Sequence, residues 1–387
     1  MDFQLTDNQL QLQDAARRFA RNELQELALE LEEKNCAVPL EWRKKYAELG
    51  FLGVNMPEEY GGLGLSHLDA LIVLEEFAQI SSAVAFPVFE SSVGPIKTVL
   101  EFGSESLKKR IAPAVAKGEC VVAISMSEPD AGTALTDLKT KARIEGDEFV
   151  ISGQKRWCSG GGHSDAYVVY CRLDDRPGAA GIGAVLVEKD RQGIQFGAQE
   201  SLMGFRGIPS CDIFFDDVRV PLDNQIVPAG GFGKLMGAFC LERCGNATMS
   251  LAIAAAALEE ALDYTSQRSQ FGKPVVDFQA VQLKLADMAM KVEASRLLIW
   301  RAAQDLTDQG LPSIANSSIA KCFANEMVRE VASMGIQLMG GYGYSKEFKM
   351  EQRLRDAYGW GIAGGTIDIQ KVNIAAALVG RRFNQRN

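Results

Sequence analysis

Histidine chemistry is thinly supplied in this chain, whose 387 residues include only His67 and His163. Neither lies in an HExxH pattern or at a useful spacing from a serine nucleophile, which counts against zinc hydrolysis and triad catalysis. Cys240 and Cys244 share a helical face, but the pair reads as helix core and not as a metal site, and no metal is expected. No GxGxxG follows a strand and opens a helix. Gly230-Gly231-Phe232-Gly233-Lys234 has Pro228 where a phosphate loop needs its first glycine, so nicotinamide and nucleotidase chemistry fit poorly. Carboxylates are the groups that remain for moving a proton, and the 50 aspartates and glutamates do not by themselves say which. A carboxylate serves as a base towards carbon when a water-poor pocket raises its pKa.

Such groups need a scaffold, and the chain is long enough for two or three packed modules. Hydrophobic residues at 47% and charged residues at 24% argue against disorder, and a net charge of −9 disfavours nucleic acid as a partner. Local arginines and helix N-termini still allow a phosphorylated small ligand. Met1-Asp2-Phe3-Gln4-Leu5-Thr6 lacks the basic and apolar sections of a secretory signal, and the alanine-rich run Met249 to Leu258 is too short to span a bilayer. Together with 8 scattered cysteines and no CxxC pair, this reads as a soluble, cytoplasmic chain with reduced thiols and no membrane contact.

The order of elements reads helices, strands, helices. Thr6 to Gln9 forms a Thr-x-x-Gln capping box behind Leu5, and another helix begins near Ser66. From Val121 to about Val220, short apolar runs such as Phe149-Val150-Ile151, Ala166-Tyr167-Val168-Val169-Tyr170 and Ile213-Phe214-Phe215 alternate with turn residues, predicting a small β domain. Beyond Gly231 the helical period returns, with Phe278, Val281, Leu285, Met288 and Val292 on one stripe. The expected boundaries are an N-terminal helical domain over 1–120, a central β domain over 121–230 and a helical bundle over 231–387. The fold class is mostly α with a β domain.

Four segments in order carry a family resemblance over nearly the whole length. They are Met126-Ser127-Glu128-Pro129-Asp130-Ala131-Gly132-Thr133, then Arg156-Trp157-Cys158-Ser159, then Arg268-Ser269-Gln270-Phe271-Gly272-Lys273-Pro274 with Phe278-Gln279, and finally Gln337-Leu338-Met339-Gly340-Gly341 with Arg355-Asp356-Ala357 and Gly365-Thr366. In these the chain resembles the FAD-dependent acyl-CoA dehydrogenases. The resemblance implies a central β-barrel-like domain between an N-terminal helical domain and a C-terminal four-helix bundle.

It also implies roles. Ser127 and the Met126 amide would donate to the flavin's pyrimidine edge, and Ser159 would sit near its hydride-accepting nitrogen. Trp157 would lay its face against the ring, although without the resemblance it reads equally well as a core tryptophan. Arg268 would pair with pyrophosphate on a neighbouring subunit's cofactor, implying a dimer or tetramer of the chain. Phe271, Gln279, Gln337, Gly341, Thr366 and Asp368 match further cofactor positions. Gly340-Gly341-Tyr342-Gly343 by itself reads as a helix stop.

On the substrate side, Thr133, Phe239 and Arg243 would line the CoA arm, with Gly364 and Gly365 beside the acyl thioester. By itself Arg243 reads as an exposed helix cation. The family usually keeps its catalytic glutamate at the position of Gly364, and glycine cannot take a proton. In the isovaleryl-CoA and long-chain branches the base instead precedes the helix arginine, as Glu242 precedes Arg243. Glu90, on the helix expected to floor the acyl pocket, is a second candidate base or a ligand for a polar tail; its plain reading is a partly solvated helix residue.

The expected reaction is α,β-dehydrogenation of a branched, cyclic or otherwise bulky acyl-CoA, with electrons passed to an electron-transferring flavoprotein. Three alternatives stand beside it. One is a lyase of the sulfinopropionyl-CoA desulfinase type, against which Glu242 and Phe86 count, because those enzymes carry glutamine and arginine there. The second is an enoyl-CoA reductase working in reverse. The third is a flavin-binding or partner-binding scaffold without activity.

Overall fold

A computed structural model describes residues 4–383; the first three residues of the N-terminal segment read above, and the last four of the chain, lie outside it. Seven helices come first: α1 Asp7–Glu23, α2 Gln25–Lys34, α3 Leu40–Glu48, α4 His67–Ala78, α5 Ser82–Ser92, α6 Ile96–Phe102 and α7 Glu105–Ala116. The capping box at Thr6 forms as expected, with the Gln9 amide donating to the Thr6 hydroxyl at 3.3 Å and the Thr6 amide to Gln9 Oε1 at 3.0 Å. Ser66 caps α4 in the same way through Asp69.

The central segment contains β1 Val122–Ser125, β2 Lys141–Glu145, β3 Glu148–Ser159, β4 Ala166–Arg172, β5 Ile182–Glu188, β6 Ile194–Phe196, β7 Ser210–Pro221 and β8 Gln225–Val227. They form one sheet in the order β6-β7-β3-β2-β4-β5-β8, with β1 pairing parallel to β4. The unbroken apolar run of β4 follows from burial on both faces. Tyr167 and Val169 pack with Phe149, Ile151 and Ile213, while Val168 and Tyr170 pack with α6, α7 and Leu235.

The C-terminal part consists of α8 Phe232–Gln267, a hairpin of β9 Ser269–Gln270 and β10 Lys273–Pro274, then α9 Gln279–Gln304, α10 Ile314–Met339, α11 Gly341–Tyr344, α12 Met350–Trp360 and α13 Ile367–Val379. The stripe read on α9 faces inward, with Leu285, Met288 and Val292 buried. The alanine-rich run lies within α8, and no helix among the described residues is long and apolar enough to cross a membrane. Gly340, at φ 60°, ends α10 as the double glycine suggested.

The N-terminal helices and the bundle share one core. Leu71, Phe77 and Val88 belong to the same cluster as Leu251, Ala254, Met288 and Val328, so α4 and α5 are held between the first helices and α8. This fixes α5, which carries Glu90, against α8, which carries Glu242. Both glutamates therefore sit on helices buried on most sides, and the sheet closes over them through β1, β3 and the loop after β6.

Candidate functional site

A cleft of about 540 Å³ lies where the three parts meet. Its walls include Glu90 from α5, Met126 and Ser127 after β1, and Trp157 and Ser159 from β3. Phe239, Glu242 and Asn246 come from α8, and Gly364 from the loop before α13. Residues far apart in sequence and expected to share a site are thus brought together.

Local structure explains how β3 serves the cleft. Lys155 pairs with Ile213 and Cys158 with Cys211, so Arg156 and Trp157 together face Asp212 alone. The extra residue is a bulge, and a bulge re-aims a side chain. Trp157 has φ 60°, uncommon for a residue with a side chain, and is 53% exposed rather than a core tryptophan. Arg156 braces its ring at 4.1 Å while bonding Asp212 at 2.7 Å and Glu200 at 3.0 Å. Phe205, also on the cleft, has φ 60°, and its amide donates to buried Asp356 at 2.7 Å. Strained backbone held in place by neighbours concentrates at functional sites.

The Met126–Ser127 turn is fixed from behind. Buried Lys155 donates at 2.9 Å both to the Met126 carbonyl and to Glu128, and Glu128 also accepts from the Thr140 amide at 2.9 Å. A buried pair with its remaining lone pairs filled holds a loop in one conformation.

The two carboxylates differ. Glu242 is half-buried on the cleft wall, and burial pushes its pKa up to about 8, against the pull of Arg243 and Lys321. Glu90 is only 7% exposed, not the partly solvated residue of the plain reading, and burial pushes it well above the usual carboxylate range despite Arg43. Arg243 corrects the same kind of reading: it is 6% exposed, its Nη1 donates to Cys240 Sγ at 3.5 Å, and it lies over Phe239 at 5.7 Å. Phe239, not Arg243, reaches the cleft surface. Cys240 and Cys244 are buried free thiols, and no metal-binding cluster occurs among the described residues.

A polar network that the sequence reading missed stands behind Glu242. Lys321 on α10 donates to Asn325 at 2.8 Å and to the Trp360 carbonyl at 3.2 Å, and burial pushes its pKa down to about 7. Asn325 donates to Asn246 and Ser250, and Asn246 to the carbonyls of Trp360 and Ala363. The loop before α13 is thereby tied to α8 and α10. The available signal was polar residues spaced by four on otherwise apolar faces, 246 with 250 and 321 with 325. Gly364, at φ 68°, sits beside this network, and a Cβ there would meet Asn246 and Lys321 at 3.5 Å.

A larger groove, about 770 Å³, opens at the other end of the bundle and is lined by Arg268, Phe271, Phe278, Gln337, Gly340 and Gly341. Phe271 at the hairpin tip is 95% exposed with φ 53°. Several expected site residues lie off both linings. Thr133 is exposed in the loop after β1, Gln279 is exposed at the start of α9, and Gly365 and Asp368 are exposed near the start of α13. The Thr366 hydroxyl accepts from the Ile369 amide at 3.4 Å and so caps α13.

A helix–sheet–helix chain with a perturbed carboxylate, a braced tryptophan and an ordered serine turn around one apolar cleft has the features of an enzyme site. Comparison with known proteins gives the family. The sequence matches the descriptions "Acyl-CoA dehydrogenase, N-terminal domain" over residues 6–119, "middle domain" over 123–218 and "C-terminal domain" over 229–379. A 3-sulfinopropanoyl-CoA desulfinase of Paraburkholderia xenovorans is 36% identical over 391 residues, covering 99% of both chains. A cyclohex-1-ene-1-carbonyl-CoA dehydrogenase of Syntrophus aciditrophicus is 35% identical, covering 97% of this chain and 91% of that one. The structure of butyryl-CoA dehydrogenase from Megasphaera elsdenii superposes with a TM-score of 0.93 at 32% identity, covering 98% of this chain and all of that one. The chain belongs to the acyl-CoA dehydrogenase family, flavoprotein oxidoreductases that use FAD.

Proposed function

We propose that the chain removes the α-proton of a bulky acyl-CoA thioester with Glu242 and passes the electrons to an electron-transferring flavoprotein in the cytoplasm. The observation that carries this reading is Glu242 itself, a carboxylate whose pKa burial pushes to about 8, in the cleft that Trp157 and Gly364 also line. A carboxylate tuned into that range is a competent base near neutral pH.

The residues present fit the family's cofactor. Trp157 offers an exposed aromatic face, and Met126, Ser127 and Ser159 border the same cleft. When bound, FAD supplies the acceptor for the hydride that leaves the β-carbon. Glu242 takes the α-proton; Phe86, Phe89, Phe205 and Trp360 keep water from it; the Lys321 network holds the loop carrying Gly364 at a fixed distance from α8. Glu90, farther down the cleft on α5, serves the acyl group's far end rather than the α-carbon.

Arg268, Phe271, Gln337 and Gly341 make a second surface that we assign to a cofactor bound mainly by another copy, within a dimer or tetramer. Exposed Leu283, Met290, Leu378 and Val379 on α9 and α13 support association. The roles of Thr133, Arg243, Gln279, Thr366 and Asp368 remain those implied by the family resemblance. The chosen direction is dehydrogenation, and a bulky acyl group is favoured by the space that Gly364 leaves.

Anaerobic mixing of the flavin-loaded protein with straight, branched and cyclic acyl-CoAs tests this. Flavin bleaching with enoyl-CoA formation, fastest for the bulky members, is the expected result. Thioester loss with the flavin still oxidised would instead support the desulfinase type of reaction.

A further inference from the structure

Behind the cleft lies a second cavity of about 230 Å³, bounded by Arg43, Phe86, Glu90, His163, Ser164 and Gly207. Phe86 and Glu90 border both spaces, so the partition is a single layer of side chains from α5. Phe86 stacks flat on Phe89 at 5.7 Å.

The chemistry of this cavity is unbalanced. Arg43, from the second turn of α3, has its Nε and Nη1 buried without a hydrogen-bond partner, and the Ser164 hydroxyl is buried and unpartnered as well. The nearest acid, Asp165, is already engaged. Its Oδ1 accepts from Lys189 at 2.9 Å and its Oδ2 from the Val121 amide at 2.9 Å, leaving Arg43 at 3.8 Å, beyond hydrogen-bond reach. Nε–H and Nη1 point to opposite edges of the guanidinium, so a ligand carboxylate meets one of them and gains a charge-assisted hydrogen bond there. Leaving a buried donor unpaired is costly, so a ligand that supplies an anionic oxygen to it is preferred over one that does not. Drug-sized ligands need roughly 300–1,000 Å³, so the cavity suits the end of a ligand that enters from the cleft, not a separate effector.

We propose that this cavity receives the far end of the acyl chain, that the end carries a carboxylate, and that Arg43 and Ser164 recognise it. This deepens the acyl-CoA reading above and rests on it. Phe86 and Glu90, which border both spaces, line the passage between cleft and cavity.

The test compares ω-carboxyacyl-CoAs of rising length with alkanoyl-CoAs of the same length. Binding to the flavin-loaded protein is measured by calorimetry and therefore independently of turnover. At the fitting length the carboxylated thioester should bind about tenfold to hundredfold more tightly, the range expected for a charge-assisted contact. Arg43→Gln should bring the ratio near one, and Arg43→Lys should restore part of it; the ratio discounts any general damage from either change. A wild-type ratio below about two at every length, or a ratio that survives Arg43→Gln in the folded protein, overturns the assignment. Enoyl-CoA formation is followed separately: its absence with every thioester would count against dehydrogenation without touching the binding result.

Discussion

The cleft between the three parts and the groove at the bundle's end make opposite use of similar residues. In the cleft, Glu242 and Glu90 are enclosed by the chain's own helices, and two strained residues, Trp157 and Phe205, are braced by Arg156 and Asp356. In the groove, Phe271 stands almost fully exposed, and Arg268 and Gln337 line an open surface. In the reading proposed above, the cleft is the finished site and the groove is one that a neighbouring copy completes. Desolvation tunes groups where the chain closes around them, as it does around Glu90 and Glu242 in the cleft.

The sharpest way to break this contrast is at the finished site. Glu242→Gln should lower turnover on the order of a thousandfold while flavin stays bound, as loss of a general base does. Flavin absorbance and steady-state rates read both outcomes, and a variant that keeps its rate would return the cleft to a binding role. The unfinished site should respond differently. Arg268→Met should weaken flavin retention roughly tenfold or more, with the shortfall in rate recovered by added FAD, because a single charged contact is removed without altering the base. Ultrafiltration and gel filtration distinguish cofactor loss from dissociation of the assembly.

A smaller effect separates the two regions by pH. Glu242 works ionised, so kcat/KM should rise with pH through about 8, and no such limb should be traceable to the groove. The sign for stability runs the other way. The folded pKa exceeds the ordinary carboxylate value, so the fold loses stability as pH rises from about 4.5 to about 8. Glu242→Gln should remove that loss and raise Tm at pH 8, which a melting series across pH checks.

The least disruptive probe is Gly364→Ala. A Cβ finds ordinary contact distances there, but φ 68° is unfavourable to a side chain by about 1–2 kcal/mol. Tm should fall by a few degrees, with bulky acyl groups losing more rate than straight ones. Equal losses for both would show that the space beside Gly364 does not select the acyl group.

Much of the scaffold was legible because periodic patterns and caps are local. The capping boxes at Thr6 and Ser66, the stripe on α9 and the apolar run of β4 each followed from neighbouring residues. The motifs around Met126 and Trp157 lie on the cleft, and the one around Arg268 lies on the groove. What escaped was burial. Glu90 and Arg243 read as solvated helix residues, and Arg43, Lys321 and Asn325 did not attract notice at all, since nothing within a few residues of them reveals what packs on the other side.

The sequence by itself therefore determined the succession of helices, strands and helices, the family, and which carboxylates were available after glycine took position 364. Only the tertiary structure decided their surroundings. Packing α5 and α8 into one core brought Glu90 and Glu242 into the same apolar cleft, the bulge in β3 turned Trp157 towards it, and the Asn246–Lys321 network fixed the loop beside it. Proton affinity in a protein depends on the water and charge excluded or admitted around a group, and those are set by contacts between segments that are distant along the chain.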